Sequence, residues 1–312
     1  MQVTYDLTQR EASPAVLTIG SFDGVHLGHK SIMSSVVQSA RAKGVAAVAM
    51  TFEPSPREVL RPGQPIAYLT RLPEKIRLLE KTGVDELIVV PFTRELSLVE
   101  APDFILWVRQ YLPFIELWEG EGFALGHGRT GNTGVLAELG KQLGYELRIA
   151  PLVEVGGEPV SSTRVREAVL AGDVTLAAEL LGHYPTVPGT VVPGSKRGRE
   201  LGYPTANLAL LPNQALPADG VYATWCWRPA TGEMLPSVTS VGTRPTFDDD
   251  ARLVEVHILD YYADMYGETL TAHFVQYLRG QVRFEGIDPL IEQMHADAAQ
   301  SREIIAKAKR PD

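Results

Sequence analysis

The stretch GSFDGVHLGHKS, residues 20–31, constrains this chain more than any other. It follows an apolar run at 15–19 and precedes an apolar-periodic run that begins at Ile32, so the spacing predicts a strand, a tight loop and a helix in that order. A helix mouth offers unpaired N–H groups and the positive end of a dipole to an anion, and Gly20, Gly24 and Gly28 allow a bulky ligand close to the main chain. His26 and His29 stand three residues apart, the spacing at which two side chains share a helix face. Seen alone, such a pair is more simply a loop cap and a solvated helix residue. A zinc site is weaker still, because only Asp23 is nearby as a third ligand. The surrounding glycines favour a phosphate.

The rest of the first half repeats the alternation. Strands are expected at 16–19, 45–52, 86–90, 116–118 and 146–150, and helices at 30–43, 73–82, 103–111 and 135–144. That alternation implies a parallel sheet, with ligands beyond the carboxyl ends of its strands. A dinucleotide-dependent oxidoreductase is the rival on such a sheet, but no Gly-x-Gly-x-x-Gly follows the first strand. The later run Gly120, Gly122, Gly126, Gly128, Gly131 and Gly134 reads as a lid or nucleotide-edge loop. Ser161-Ser162-Thr163-Arg164-Val165-Arg166 then opens a helix: its hydroxyls can cap N–H groups, and Arg164 or Arg166 can present a planar fork of donors to a phosphate. An ordinary cap with two solvated arginines is the plainer reading of that segment by itself. Joined to His26 and His29, it supplies the second wall of a triphosphate site, where adenylyl transfer needs mainly positioning and positive charge.

After two short helices, at 163–170 and 174–181, the texture changes. From 184 to about 283 the chain is rich in β-branched and aromatic residues punctuated by Pro and Gly, which is the pattern of a small antiparallel sheet or barrel. Residues 289–309 have helical spacing and are expected to pack on it. Gly194 to Asn207 holds a basic, glycine-rich arch suited to phosphates, though it lacks the Gly-Lys-[Ser/Thr] ending of a P-loop. Thr205 and Asn207 offer neutral hard oxygens, which suit magnesium already held by a nucleotide. Alternation at 254–260 puts Val254, Val256 and Ile258 on one face and Glu255 with His257 on the other. Glu255 is either a solvent-facing strand residue or a general base for an attacking alcohol.

The bulk numbers exclude several classes. With 29 basic and 38 acidic residues the net charge is −9, which argues against a general nucleic-acid or anionic-membrane surface. The single cysteine, Cys226, rules out an intramolecular disulfide, and no apolar run approaches the ~20 residues that span a bilayer. A soluble cytoplasmic protein without nucleic-acid or membrane partners is expected. Its 312 residues favour two domains over one.

Taken together, these motifs resemble the prokaryotic bifunctional riboflavin kinase/FMN adenylyltransferase family nearly end to end. The resemblance rests on the 20–29 motif, Thr51-Phe52-Glu53-Pro54, Tyr68-Leu69-Thr70 with Glu74-Lys75-Ile76, and Ser161–Arg166. It continues through Gly198–Leu208, Gly220-Val221-Tyr222, Val241–Phe247, Val254–His257 and Tyr266-Gly267. It implies an α/β protein with a Rossmann-like parallel-sheet nucleotidyltransferase domain at 1–183. An antiparallel β-barrel riboflavin kinase domain with a terminal helix would follow at 184–312. The implied substrates are riboflavin, FMN and ATP, with magnesium as cofactor. Gly20, Phe22, His26, His29, Ser162 and Arg164 would meet ATP in the first domain, His29 with a catalytic part. Gly194, Lys196 and Gly198 would meet it in the second, where Thr205 and Asn207 would hold the metal and Glu255 would be the base.

Two positions depart from the family pattern: Ser55 stands where histidine is usual, and Gly122 where an acidic or amide residue is common. Each lost charge-assisted contact would cost ~1.5–3 kcal/mol. A kinase with a weakened adenylylation module is therefore one alternative to the bifunctional enzyme, and a non-catalytic flavin-binding regulator is another.

Overall fold

The computed structural model describes residues 1–64, 66–194, 198, 202–243 and 252–311. The chain forms two compact units, one of residues 1–66 and 70–161, the other of 67–69 and 162–312.

In the first unit six strands form one parallel sheet: β1 (Gln2–Thr4), β2 (Ala15–Ile19), β3 (Ala46–Glu53), β4 (Glu86–Pro91), β5 (Phe114–Glu119) and β6 (Glu146–Ile149). Their spatial order is β1-β4-β3-β2-β5-β6. The chain thus leaves β2 towards β3 on one side and later returns to β5 on the other, which puts the switch point of the sheet at the end of β2. The loop carrying the histidines starts there.

Both faces of the sheet are covered, so its central strands are apolar throughout rather than alternating. Leu17, Ile19, Val48, Met50 and Ile88 pack with Phe104, Ile105 and Val108 of the helix Ala101–Tyr111. On the opposite side Val16 and Ala47 meet Val36 and Ala40 of α1 (Leu27–Lys43), and Ala49, Leu87 and Val89 meet Leu78 and Leu79 of α2 (Leu72–Glu80). Helix α1 ends where Gly44 takes a left-handed φ of 66° and its N–H reaches back to Ala40 and Arg41.

The second unit holds a closed antiparallel barrel. Its strands are β7 (Thr186–Val192), β8 (Ala206–Leu210), β9 (Gly220–Arg228), β10 (Glu233–Thr243), β11 (Arg252–Ile258) and β12 (Thr269–Arg279), in the order β7-β8-β11-β10-β9-β12. Closure leaves no free edge. The expected alternation holds: Val254, Val256 and Ile258 are buried with Val191, Leu208, Tyr222 and Phe274, while Glu255 and His257 are only half-buried. The helices Ser162–Leu170 and Val174–Leu181 belong to this same unit.

The terminal helix, Ile287–Lys307, packs against β9, β10 and β12. It is held by polar groups as well as apolar ones. Buried Asp297 accepts from Arg279 of β12 at 2.6 and 2.9 Å and from Gln293 at 2.9 Å, and the Ser301 hydroxyl donates to the Ser237 carbonyl at 2.9 Å. Removing the cation leaves a buried carboxylate with one amide partner. Arg279→Met is expected to destabilise the second unit by about 3 kcal/mol, measured by urea unfolding, because an uncompensated buried charge is among the costlier defects.

Candidate functional site

The loop after β2 is wound tightly. Phe22 and Val25 adopt left-handed φ values of 47° and 41°, unusual for non-glycine residues, and Gly24 between them has φ 85°. What holds them is buried hydrogen bonding. The Asp23 carboxylate accepts from the Thr70 amide at 3.0 Å and its hydroxyl at 3.4 Å, while that same hydroxyl accepts from the Gly24 amide at 3.0 Å. Gly20 is required for close approach: a Cβ there would lie 2.7 Å from the Phe22 ring.

His26 is the N-cap of α1 and its Nδ1 accepts from the His29 amide at 3.4 Å. That cap sets the helix to start at residue 27, three residues before the periodicity alone predicts. The two imidazoles stack at 3.6 Å between centroids and 19° between planes, and Phe22 meets His29 edge-on at 5.3 Å. His29 keeps part of its surface open, yet its Nδ1 is buried and unpartnered. Burial, and then Lys30, pushes His26 down to about 4; burial, then His26 and Lys75, pushes His29 well below the ordinary imidazole range. Both rings are neutral near pH 7. They therefore bring hydrogen-bonding nitrogens to the loop rather than positive charge.

Sequence reasoning named Lys75 only as part of a motif. The fold buries it at 4 % exposure on α2, and burial pushes its ammonium below the ordinary lysine range, with Asp23 and Glu53 opposing that shift. The signal lay in a lysine flanked by the apolar-periodic Ile76, Leu78 and Leu79. A second buried ionisable group, Glu119 at the end of β5, accepts from the Ile19 amide at 2.8 Å, and burial raises its carboxyl well above the usual range. Of the two departures from the family pattern, Ser55 precedes the short helix Pro56–Leu60 and makes no side-chain cap bond. Gly122 has open space, since a Cβ there meets nothing within 4 Å.

Ser162 and Arg164 lie in the first turn of their helix in the second unit, both half-buried. Neighbouring Arg166 is engaged locally, its guanidinium donating to the Ala67 and Ser162 carbonyls at 2.7 and 3.1 Å.

On the barrel, strand register assembles what the sequence left apart. Asn207 of β8 is directly opposite Glu255 of β11, which is opposite Ser240 of β10; Asn207 also faces Val192 of β7. Opposed residues point to one face, so Asn207, Glu255 and Ser240 form a row on the outer wall. Gly194 sits against the Asn207 carboxamide, where a Cβ would lie 2.8 Å from Oδ1, and a Cβ on Gly198 would lie 3.5 Å from the Thr205 hydroxyl. The candidate Lys196 lies outside the described residues.

The approach to Thr205 is fixed from three sides. The Tyr203 amide donates to the Gly198 carbonyl at 2.7 Å, His257 Nδ1 donates to the Pro204 carbonyl at 2.9 Å, and the Tyr203 hydroxyl pairs with His295 Nδ1 of the terminal helix at 2.6 Å. The Tyr203 and His257 rings lie 5.0 Å apart.

A parallel sheet with an anion-suited loop at its switch point, joined in one chain to a closed barrel bearing a Thr/Asn/Glu cluster, defines a two-module transferase of nucleotidyltransferase-plus-kinase construction. Two family models match: FAD synthetase over residues 8–164 and riboflavin kinase over 181–305. The bifunctional riboflavin kinase/FMN adenylyltransferase of Escherichia coli is 36 % identical, across 98 % of this chain and 97 % of that protein. That of Listeria monocytogenes is 35 % identical, across 94 % and 93 %. The chain belongs to the bifunctional riboflavin kinase/FMN adenylyltransferase family. A crystal structure of a Streptococcus pneumoniae protein described as macrolide-efflux shares the fold at TM-score 0.87 and 31 % identity, covering 96 % of this chain and 98 % of that one. Among the described residues of the present chain, no helix is long and apolar enough to cross a membrane.

The neutral imidazoles carry a stability consequence. A buried His26 binds its proton less readily folded than unfolded, so its contribution is intact above pH 6.5 and is lost as pH falls from there through about 4. The loss amounts to about 3 kcal/mol. Urea unfolding near pH 7 and near pH 5 is expected to show a smaller pH dependence in His26→Asn, which keeps a cap acceptor without a titrating ring.

Proposed function

We propose that this protein makes FAD in two ATP-dependent steps, phosphorylating riboflavin to FMN and then adenylylating FMN with release of pyrophosphate. The observation that carries the reading is the register of the barrel, which pairs Asn207 with Glu255 on adjacent strands with Gly194 packed against the Asn207 carboxamide, in a chain matched along its length by the two family models together. A kinase with a weakened first module, or a flavin binder without turnover, is not favoured by that double match. Phosphorylation is assigned to residues 184–312 and adenylylation to 1–183; Ser162 and Arg164 enter the second assignment on their sequence motif alone.

In the kinase step the terminal ribityl hydroxyl of riboflavin attacks the γ-phosphorus of ATP, the bond to the β-phosphate oxygen breaks, and ADP leaves. Glu255 takes the hydroxyl proton. Among the described residues no cluster of three or more His, Cys, Asp or Glu is placed to hold a metal by itself. The Thr205 hydroxyl and Asn207 carboxamide, under the Gly194 and Gly198 cradle, fit a magnesium ion shared with the nucleotide phosphates, which would neutralise their charge. Gly194, Gly198 and Lys196 are assigned to the phosphates of that ATP.

In the adenylylation step an FMN phosphate oxygen attacks the α-phosphorus of ATP and pyrophosphate leaves. Gly20 and Phe22 shape the loop against which the nucleotide packs, and His26 and His29 offer neutral donors to its phosphates, the kind of preset dipole that needs no reorganisation during reaction. A cytoplasmic location belongs to the same proposal; it is supported by a lone, buried, unpaired Cys226.

Riboflavin, ATP and magnesium are expected to yield FMN and then FAD on chromatography. Glu255→Ala should lower FMN formation by about 100-fold or more and spare FAD formation from supplied FMN. His29→Ala should do the reverse, with a loss of about 100-fold. Equal damage to both steps by either change would overturn the assignment of one reaction to each module. Gly122→Asp, for which there is space, tests the departure at that position: an unchanged adenylylation rate means that the glycine costs this enzyme nothing.

A further inference from the structure

We propose that Ser240 recognises the ribityl chain of riboflavin in the kinase site, donating a hydrogen bond to a hydroxyl one or two carbons back from the one that is phosphorylated, and that Gln281 is the positioning residue that fixes the serine there. This deepens the kinase reading and rests on the placing of the reacting hydroxyl at Glu255.

Register puts Ser240 in that position. On the outer wall one row runs Val192, Asn207, Glu255, Ser240 and Val221, a residue from each of β7, β8, β11, β10 and β9. Three polar side chains are thus bracketed by two valines. Opposed residues have their Cβ atoms about 5 Å apart. With the reacting hydroxyl at Glu255 and the phosphates towards Asn207, an extended polyol continues along the row and comes under Ser240. Along its own strand the outward neighbours of Glu255 are Leu253, which is apolar, and His257, whose Nδ1 is already paired with the Pro204 carbonyl at 2.9 Å.

An outward serine on a strand is ordinarily hydrated and free to rotate. Ser240 is instead half-buried and held. The Gln281 carboxamide lies over Gly242, where a Cβ would run into it, and its Nε2 donates to the Ser240 Oγ at 3.2 Å and to the Val241 carbonyl at 3.0 Å. A carbonyl can only accept, so the second bond fixes the carboxamide with its nitrogen towards the strand, and Ser240 is the acceptor in the first. The serine hydrogen is thereby turned away from Gln281. Among the described residues no side chain accepts it. A donor held beside a base, one strand from it, suits an uncharged acceptor next to the reacting alcohol, and a secondary hydroxyl of the ribityl chain is such a group.

The test uses the full chain, with FAD formation from supplied FMN as a control on each preparation. Two substrates are compared: riboflavin, and the flavin carrying an ω-hydroxypentyl chain, which keeps the terminal alcohol and lacks the secondary hydroxyls. Ser240→Ala is expected to lower kcat/KM for riboflavin by about 10-fold, mainly through KM, and to leave that for the hydroxypentyl flavin within about 2-fold. Ser240→Thr keeps the hydroxyl and should stay within about 3-fold of the parent on riboflavin. Gln281→Leu frees the serine to rotate and should shrink the preference for riboflavin by about 3-fold.

A Ser240→Ala variant that keeps its preference for riboflavin overturns the proposal. That covers the case in which neither flavin is affected and the case in which both fall together, as they would if the serine only oriented Glu255 or only supported the strand. Should the alanine variant fail to fold, Ser240→Cys, of similar size and a weak donor, carries the same outcomes. Were the parent to form no FMN, the kinase reading itself would fall. Titration by flavin fluorescence would then still decide for Ser240: binding weakened in Ser240→Ala by about 10-fold for riboflavin alone supports its role, and equal change for the two flavins overturns it.

Discussion

Strand register is the constraint on which the rest of the structure depends. Side chains alternate along a strand, so sliding β11 by one residue against its neighbours would turn Glu255 into the barrel core and put Val254 or Val256 outside. The pairing that prevents this runs through Ala206–Val256 and Leu208–Val254, two apolar couples that flank Asn207–Glu255. Hydrophobic burial on the inner face thereby fixes a polar row on the outer one. In the parallel sheet the same logic works end-on. Alignment of β2 with β3 and β5 brings the strand ends level, so that the Glu119 carboxyl meets the Ile19 amide and the loop after Ile19 starts at the switch point.

Burial then sets the electrostatics of each module differently. In the first unit it removes water from two imidazoles, a lysine and a glutamic acid. All four are pushed towards neutrality, the lysine with Asp23 and Glu53 opposing the shift. In the second, Glu255 stands half-buried on the outer wall. The two proposed chemistries differ in what they ask for: adenylyl transfer needs preorganised dipoles and charge around a leaving group, whereas phosphorylation of an alcohol also needs a base for its proton.

The terminal helix ties the barrel together from its last segment. Asp297 meets Arg279 on β12, Ser301 meets the Ser237 carbonyl on β10, and His295 meets Tyr203 just ahead of Thr205. The segment that precedes the candidate metal ligands is thus braced by a helix far along the chain as well as by His257 on the strand of the candidate base. Such bracing suits the proposed role of Thr205 and Asn207, because positioning is most of what phosphoryl transfer asks of a protein.

Local chemistry was legible in the sequence. The 20–31 motif, the alternation of elements, the turn to a barrel near residue 184 and the outward Glu255 follow from periodicity, glycine placement and capping, which neighbouring residues control. The polar strand Gln2–Thr4 was not legible, because it exists only through pairing with Glu86–Ile88. Neither was the start of α1 at residue 27, which depends on the His26 ring turning back onto a backbone amide. Only the tertiary structure decided that Glu255 stands opposite Asn207, that burial pushes the paired histidines towards neutrality and that Lys75 is buried. Register and desolvation are properties of what surrounds a residue once distant segments close around it, and no local pattern carries them.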